Sequence, residues 1–184
     1  RTAAKAGDAL FVSGSIGSAG LGLELIKDAG LQASWGLSDD ECGALRQRYR
    51  RPEPRLALSP LLRQYASAAM DVSDGLVKDL DRLLRASGVA GRLIAADVPL
   101  AGPARKVVVR APERLAGLIT AGDDYEVLAT VPHDKARAFA EAALAAGVPV
   151  THIGQILPGP PALAIIGLDG RPLQLPERAG WDHF

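Results

Sequence analysis

The sequence predicts an α+β domain in which helices cover a mixed sheet. Three observations lead there. Strand-like runs and helix-period segments are intermixed, and several of the strand-like runs are consecutive. Leu76, Leu80, Leu83 and Leu84 fall on one helical face directly after a polar turn. The 184 residues are 48% hydrophobic, enough to fill a core and contrary to disorder.

Residues 1–8 read as a polar approach and a turn. Ala9–Ser13 reads as a strand, and a glycine-punctuated turn follows at residues 14–17. Ser18 is expected to cap a helix carrying Leu21, Leu25 and Ile26 on one face. A strand, glycine turn and helix can hold an anion or simply pack closely. This one has neither the dinucleotide-binding glycine pattern nor the P-loop lysine. Ser38 and Glu41 have capping-box spacing and open a helix to about Arg50. Arg48, Arg50 and Arg51 read either as a basic patch or as cations matched to the helix dipole. Ser59 and Pro60 open a further helix, with proline at its first position, running through Leu61, Leu62 and Tyr65 towards residues 66–69.

Residues 70–76, Met-Asp-Val-Ser-Asp-Gly-Leu, read as a strand end, a polar turn and a helix start. Ser73 or Asp74 is the expected N-cap, and Gly75 allows a close approach of the backbone. A helix N-terminus favours phosphate, whereas the carboxylates Asp71 and Asp74 repel it. Together these features imply a bridging divalent cation such as Mg²⁺, which takes a few carboxylates, phosphate oxygens and water. The same residues also make an ordinary capping turn, and local chemistry leaves both readings open.

Ser87 and Gly88 stop that helix. Residues 89–96 read as a strand, 104–110 fit either strand or helix, and 112–118 read as helix. A second polar turn, Ala121-Gly122-Asp123-Asp124, precedes a strand over residues 125–131. Its two acids parallel the Asp71 turn, and they equally suit solvated loop acids. Glu126, inside the strand, is expected at an edge or facing solvent. Residues 134–146 read as a helix. Residues 148–156 read as a strand in which His152 is structural, with no partner for a metal site. Residues 163–166 and 172–175 flank Asp169-Gly170, a hairpin turn. The end, Trp181-Asp182-His183-Phe184, is expected to pack back or to meet a ligand.

Twenty-one basic and 21 acidic residues cancel, giving no support to nucleic-acid binding. One cysteine, Cys42, excludes an intramolecular disulfide and fits a reducing, cytoplasmic setting. No apolar run approaches the roughly 20 residues needed to span a membrane, and no signal peptide is visible.

Together these segments resemble the thiamine-monophosphate kinase family, within the superfamily of aminoimidazole ribonucleotide synthetase-like proteins. Residues 1–8 are similar to the family's Arg-Ser-Gly-Ala-x-Pro-Gly-Asp, and residues 9–14 to the strand after it. Residues 70–76 match Asp-x-Ser-Asp-Gly-Leu, residues 121–127 resemble Gly-Gly-Glu-Asp-Tyr-Glu-Leu, and residues 181–184 resemble an aromatic-Asp-His-Phe end. The resemblance implies that residues 1–184 form the C-terminal α+β domain of a two-domain enzyme whose N-terminal ATP- and metal-binding domain lies outside this chain. It implies transfer of the γ-phosphoryl of ATP to thiamine monophosphate, with Mg²⁺ as cofactor and a homodimer formed through the other domain.

By position, Asp71 and Asp74 would hold Mg²⁺, Arg1 and Ser73 would contact ATP, and Asp123 and Trp181 would contact thiamine monophosphate. No side chain is expected as a general base, because the substrate phosphate is itself the nucleophile. Ala121 stands for the family's first glycine. Asp123 stands for its glutamate and is one methylene shorter. With half of the implied metal ligands outside the chain, the 184 residues are expected not to turn over alone. Two alternatives remain. A sister enzyme would call for a reactive cysteine, whereas Cys42 sits in a predicted helix and the last residue is not cysteine. A non-catalytic module would bind a phosphorylated ligand or a partner chain.

Overall fold

The computed structural model describes residues 2–175. Six strands form one mixed sheet in the order β2-β4-β1-β5-β3-β6. β1 (Ala9–Ser13) lies inside it, antiparallel to β4 (Glu126–Val131) on one side and β5 (Val150–Leu157) on the other. β2 (Ala68–Val72) extends the β4 side, antiparallel. β3 (Ala90–Ile94) pairs antiparallel with β5 and parallel with β6 (Ala162–Ile166). Every residue of β1 is buried, which fits a strand without polar alternation that is covered on both faces.

Among the described residues there are eight α-helices, in two layers. The larger layer holds α1 (Ser18–Lys27), α2 (Leu31–Trp35), α3 (Asp39–Arg50), α5 (Leu76–Ser87), α6 (Gly102–Arg110) and α7 (Arg114–Thr120). Its core joins Leu10, Val12, Val72 and Leu128 of the sheet to Leu21, Leu45, Leu80 and Leu118 of the helices. Leu76, Leu80, Leu83 and Leu84 are all fully buried, as their period predicts. The smaller layer, α4 (Ser59–Tyr65) and α8 (Ala136–Ala145), covers Ala9, Phe11, Ala129 and Val131. There Phe139 meets Phe11 edge-on at 5.4 Å.

The capping box of α3 forms as its spacing predicts. Ser38 Oγ accepts from the Glu41 N–H at 3.2 Å, and Glu41 Oε2 accepts from the Ser38 N–H at 3.0 Å. Other elements depart from expectation or decide between readings the sequence leaves open. α2 adds a helix where the sequence predicts none; it is a short turn closed by Gly36 at φ 60°, and the guanidinium of Arg114 lies 5.4 Å above the ring of its buried Trp35. α4 stops at Tyr65. Ser67 donates to the Thr130 carbonyl at 2.8 Å, so the sheet ladder claims the small residues that follow. Residues 104–110 are helical, begun by Pro103 in the first turn. Ile26 is 40% exposed rather than core. Beyond Asp169-Gly170, among the described residues, a single bridge forms, Ile166 to Pro172, and proline has no N–H to extend a ladder. No helix among the described residues is long and apolar enough to cross a membrane.

Candidate active site

β2 and β4 are antiparallel neighbours, with Val72 opposite Glu126. The turn leaving β2 and the turn entering β4 therefore lie side by side, although about 50 residues separate them. Hydrogen bonds stitch them together. Asp123 N–H donates to Ser73 O and Tyr125 N–H to Val72 O, both at 2.9 Å. The fit leaves no room for side chains at two glycines. A Cβ on Gly122 would lie 2.6 Å from Ser73 O, and one on Gly75, at φ 112°, would lie 2.3 Å from Thr120 O. Ala121, where the resembled pattern has glycine, is accommodated by Gly20 of α1: a Cβ there would fall 2.5 Å from the Ala121 methyl.

Between these turns and α1 lies a cleft of about 330 Å³. Its walls include Ser73, Asp74, Asp123 and Tyr125 from the turns and Leu23 and Glu24 from α1. Three of the residues singled out in the sequence, Ser73, Asp74 and Asp123, thus meet in one place. Asp71 does not line the cleft. It stands exposed on β2, opposite Val127. Arg1 and Trp181 lie outside the described residues. His152 lies away from the cleft, exposed and tilted against Phe11 at 5.4 Å.

Neither Ser73 nor Asp74 is the N-cap of α5. That position is Gly75, which offers no side chain. The work falls to Asp79, fully buried one turn into the helix. Its Oδ2 accepts the N–H groups of both Ser73 and Asp74 at 2.9 Å, and Arg82 donates to its Oδ1 at 2.9 Å. Those two amides are therefore already satisfied by a carboxylate and are not free for phosphate. Arg82 also pairs with Asp74. Among the described residues no group of three or more His, Cys, Asp or Glu side chains is placed to hold a metal. Asp71 and Asp74 supply two carboxylates. This is the share Mg²⁺ takes from a protein when phosphate and water complete its shell, so the donor chemistry fits a partial site.

Two acids beside the cleft serve differently from the sequence reading. Ser18 does not cap α1. The cap comes from Asp124, whose carboxylate accepts the Gly17 N–H at 2.7 Å and the Ala19 N–H at 3.2 Å. Burial pushes the Asp124 carboxyl up to about 7, against the opposing pull of those two amides and of Arg48. Glu126 is neither at an edge nor in solvent. β4 lies between β2 and β1, and Glu126 is fully buried. It accepts from Ser13 Oγ at 2.6 Å, from Arg55 Nε and Nη2 at 2.8 and 2.7 Å, and from Arg48. Arg48 donates as well to the Asp124 carbonyl at 3.0 Å, so the arginine at the end of α3 is tied to the strand rather than left on a basic patch. Sequence spacing carried no sign of these long-range pairs; the only clue was a glutamate within an otherwise apolar strand.

Asp123 and Tyr125 both adopt positive φ, 69° and 50°. Aspartate tolerates this region, whereas for a bulky tyrosine it is an outlier.

The model of the family described as "AIR synthase related protein, C-terminal domain" matches residues 5–165. The thiamine-monophosphate kinase of Caulobacter vibrioides is 41% identical over 186 aligned residues, covering 100% of this chain and 50% of the relative. The crystal structure of thiamine-monophosphate kinase from Stenotrophomonas maltophilia superposes with a TM-score of 0.80 at 32% identity, covering 90% of this chain and 52% of the other. A structure of AaThiL complexed with AMPPCP and TMP gives a TM-score of 0.77 at 30% identity, covering 100% of this chain and 53% of the other. The chain spans about half the length of the curated relatives it matches.

Proposed function

Since the chain belongs to the AIR synthase related family as its C-terminal domain, we propose that it forms the C-terminal half of a kinase that converts thiamine monophosphate and ATP to thiamine diphosphate and ADP. The observation that carries the reading is the meeting of the Ser73–Asp74 turn with the Asp123 turn in one cleft, with Asp123 N–H bonded to Ser73 O at 2.9 Å. Relatives matched along the whole chain carry the kinase name, and the AaThiL structure holds an ATP analogue and TMP.

In this reading a phosphate oxygen of thiamine monophosphate attacks the γ-phosphorus, and the bond to the bridging oxygen of ADP breaks. Bound Mg²⁺ would neutralise the facing phosphates. Asp71 and Asp74 would hold it, together with ligands from the rest of the protein. Ser73 and Arg1 would contact ATP. Asp123 and Trp181 would contact thiamine monophosphate, Asp123 at a cleft wall only a hydrogen bond away from Ser73. No side chain need take a proton. The whole protein would work in the cytoplasm as a homodimer joined through its other half, and residues 1–184 alone would not turn over.

The test joins this chain to its upstream half and supplies ATP, Mg²⁺ and thiamine monophosphate, with Asp71→Asn in parallel. The expected result is thiamine diphosphate from the parent protein and at least about 100-fold less from the variant. A folded parent protein that forms no thiamine diphosphate would overturn the reading.

A further inference from the structure

We infer that Tyr125 is a substrate-binding residue of the cleft, its ring presented as the face on which a cationic aromatic ring stacks. The inference rests on the reading of this cleft as a thiamine monophosphate site, and it assigns a role that the resemblance does not.

The first observation is exposure. Tyr125 is 43% exposed beside a fully buried Asp124 and a fully buried Glu126. The second is position: it lines the 330 Å³ cleft with Ser73, Asp74 and Asp123, and Leu23 adds apolar surface to the same walls. The third is conformation. Its φ of 50° is unfavourable for a ring-bearing residue, and the bond from its N–H to Val72 O at 2.9 Å fixes the backbone there. At 43% exposure Tyr125 stands outside the core, whose packing could otherwise offset a strained backbone. Strain of this kind persists where the surrounding structure imposes it, and it clusters at ligand clamps.

The chemistry of the site fits a cation. Thiamine monophosphate carries a permanently charged thiazolium ring. A tyrosine face attracts such a ring through its quadrupole, and a nearby carboxylate adds countercharge. Asp123, two residues before Tyr125 and on the same cleft, supplies the carboxylate. Its shortness relative to glutamate matters less when part of the recognition comes from the aromatic face.

The experiment uses the chain joined to its upstream half. Tyr125→Phe, Tyr125→Leu and Tyr125→Gly are titrated calorimetrically with thiamine monophosphate and separately with ATP, and each is melted. Tyr125→Phe keeps the face and should bind thiamine monophosphate within about twofold of the parent. Tyr125→Leu and Tyr125→Gly should bind it about tenfold more weakly, with ATP affinity within about twofold. Tyr125→Gly, freed of the strain, should melt no lower than the parent. Unchanged binding by Tyr125→Leu overturns this inference and leaves the kinase reading standing. A folded parent that binds no thiamine monophosphate overturns both. Weakened binding that appears only together with a lowered melting point and weakened ATP binding makes Tyr125 structural, and overturns the inference alone.

Discussion

Asp124 and Gly17 stand 107 residues apart in sequence, and the 2.7 Å hydrogen bond between the Asp124 carboxylate and the Gly17 N–H sets the start of α1. One wall of the cleft is thereby attached to the turn that forms another.

Burial of the Asp124 carboxyl, only partly offset by that bond, makes stability depend on pH with a definite sign. The Asp124 carboxyl titrates at about 7 when folded and at 3.8 when free. Between those values the folded chain keeps a proton that the unfolded chain has released. Its contribution is therefore fully present below about pH 4 and is lost as pH rises through about 7, at up to about 1.4 kcal/mol per unit. Asp124→Asn should remove that slope. Urea unfolding at several pH values between 4 and 8 reads it, and equal slopes for the parent and the variant would refute the assignment.

Glu126→Ala should destabilise the fold by about 3 kcal/mol, because Arg48 and Arg55 would lose the carboxylate both of them face. Glu141→Ala is the contrast. Its Arg137 partner is 91% exposed, so the change should stay within about 0.5 kcal/mol. Denaturant midpoints at constant m-value give both numbers.

Asp79→Ala should cost about 2 to 3 kcal/mol, since it removes the carboxylate that the Ser73 and Asp74 amides and Arg82 all bond to. Hydrogen exchange offers a local check. Those two amides should exchange faster in the variant while amides in the middle of β1 follow only the change in global stability.

Two glycines with positive φ separate sterics from backbone preference. Gly88→Ala meets open space at φ 69° and should cost about 1 kcal/mol. Gly75→Ala, at φ 112°, would press its methyl against the Thr120 carbonyl and should cost well above about 2 kcal/mol. Equal costs from thermal melts would remove the case for close contact between the turns.

Much of the fold was legible in the sequence where the signal is local. β1 falls on the residues its apolar run marks, the Ser38–Glu41 box closes as spaced, and the leucines of α5 point inward. Of the cleft, Ser73, Asp74 and Asp123 could be chosen from motifs, and the pairing of β2 with β4 explains why they converge. What could not be read is what depends on partners far along the chain. Asp124 looked like a solvated loop acid because the amides it caps belong to α1. Glu126 looked like an edge residue because the two arginines that neutralise it come from α3 and from the segment before α4. Asp79 was hidden for a different reason: a carboxylate one turn into a helix resembles a surface residue until its burial is known.

The central position of β1 also governs when the sheet can exist. Ala9 lies opposite Val131 on one flank and Gln155 on the other, so neither neighbour of β1 is available until most of the chain has been made. During synthesis the apolar run of β1 waits unpaired, and closure then spans loops of more than a hundred residues. Such a topology implies slow folding for the chain's size, and an interval in which the nascent strand is exposed to wrong partners.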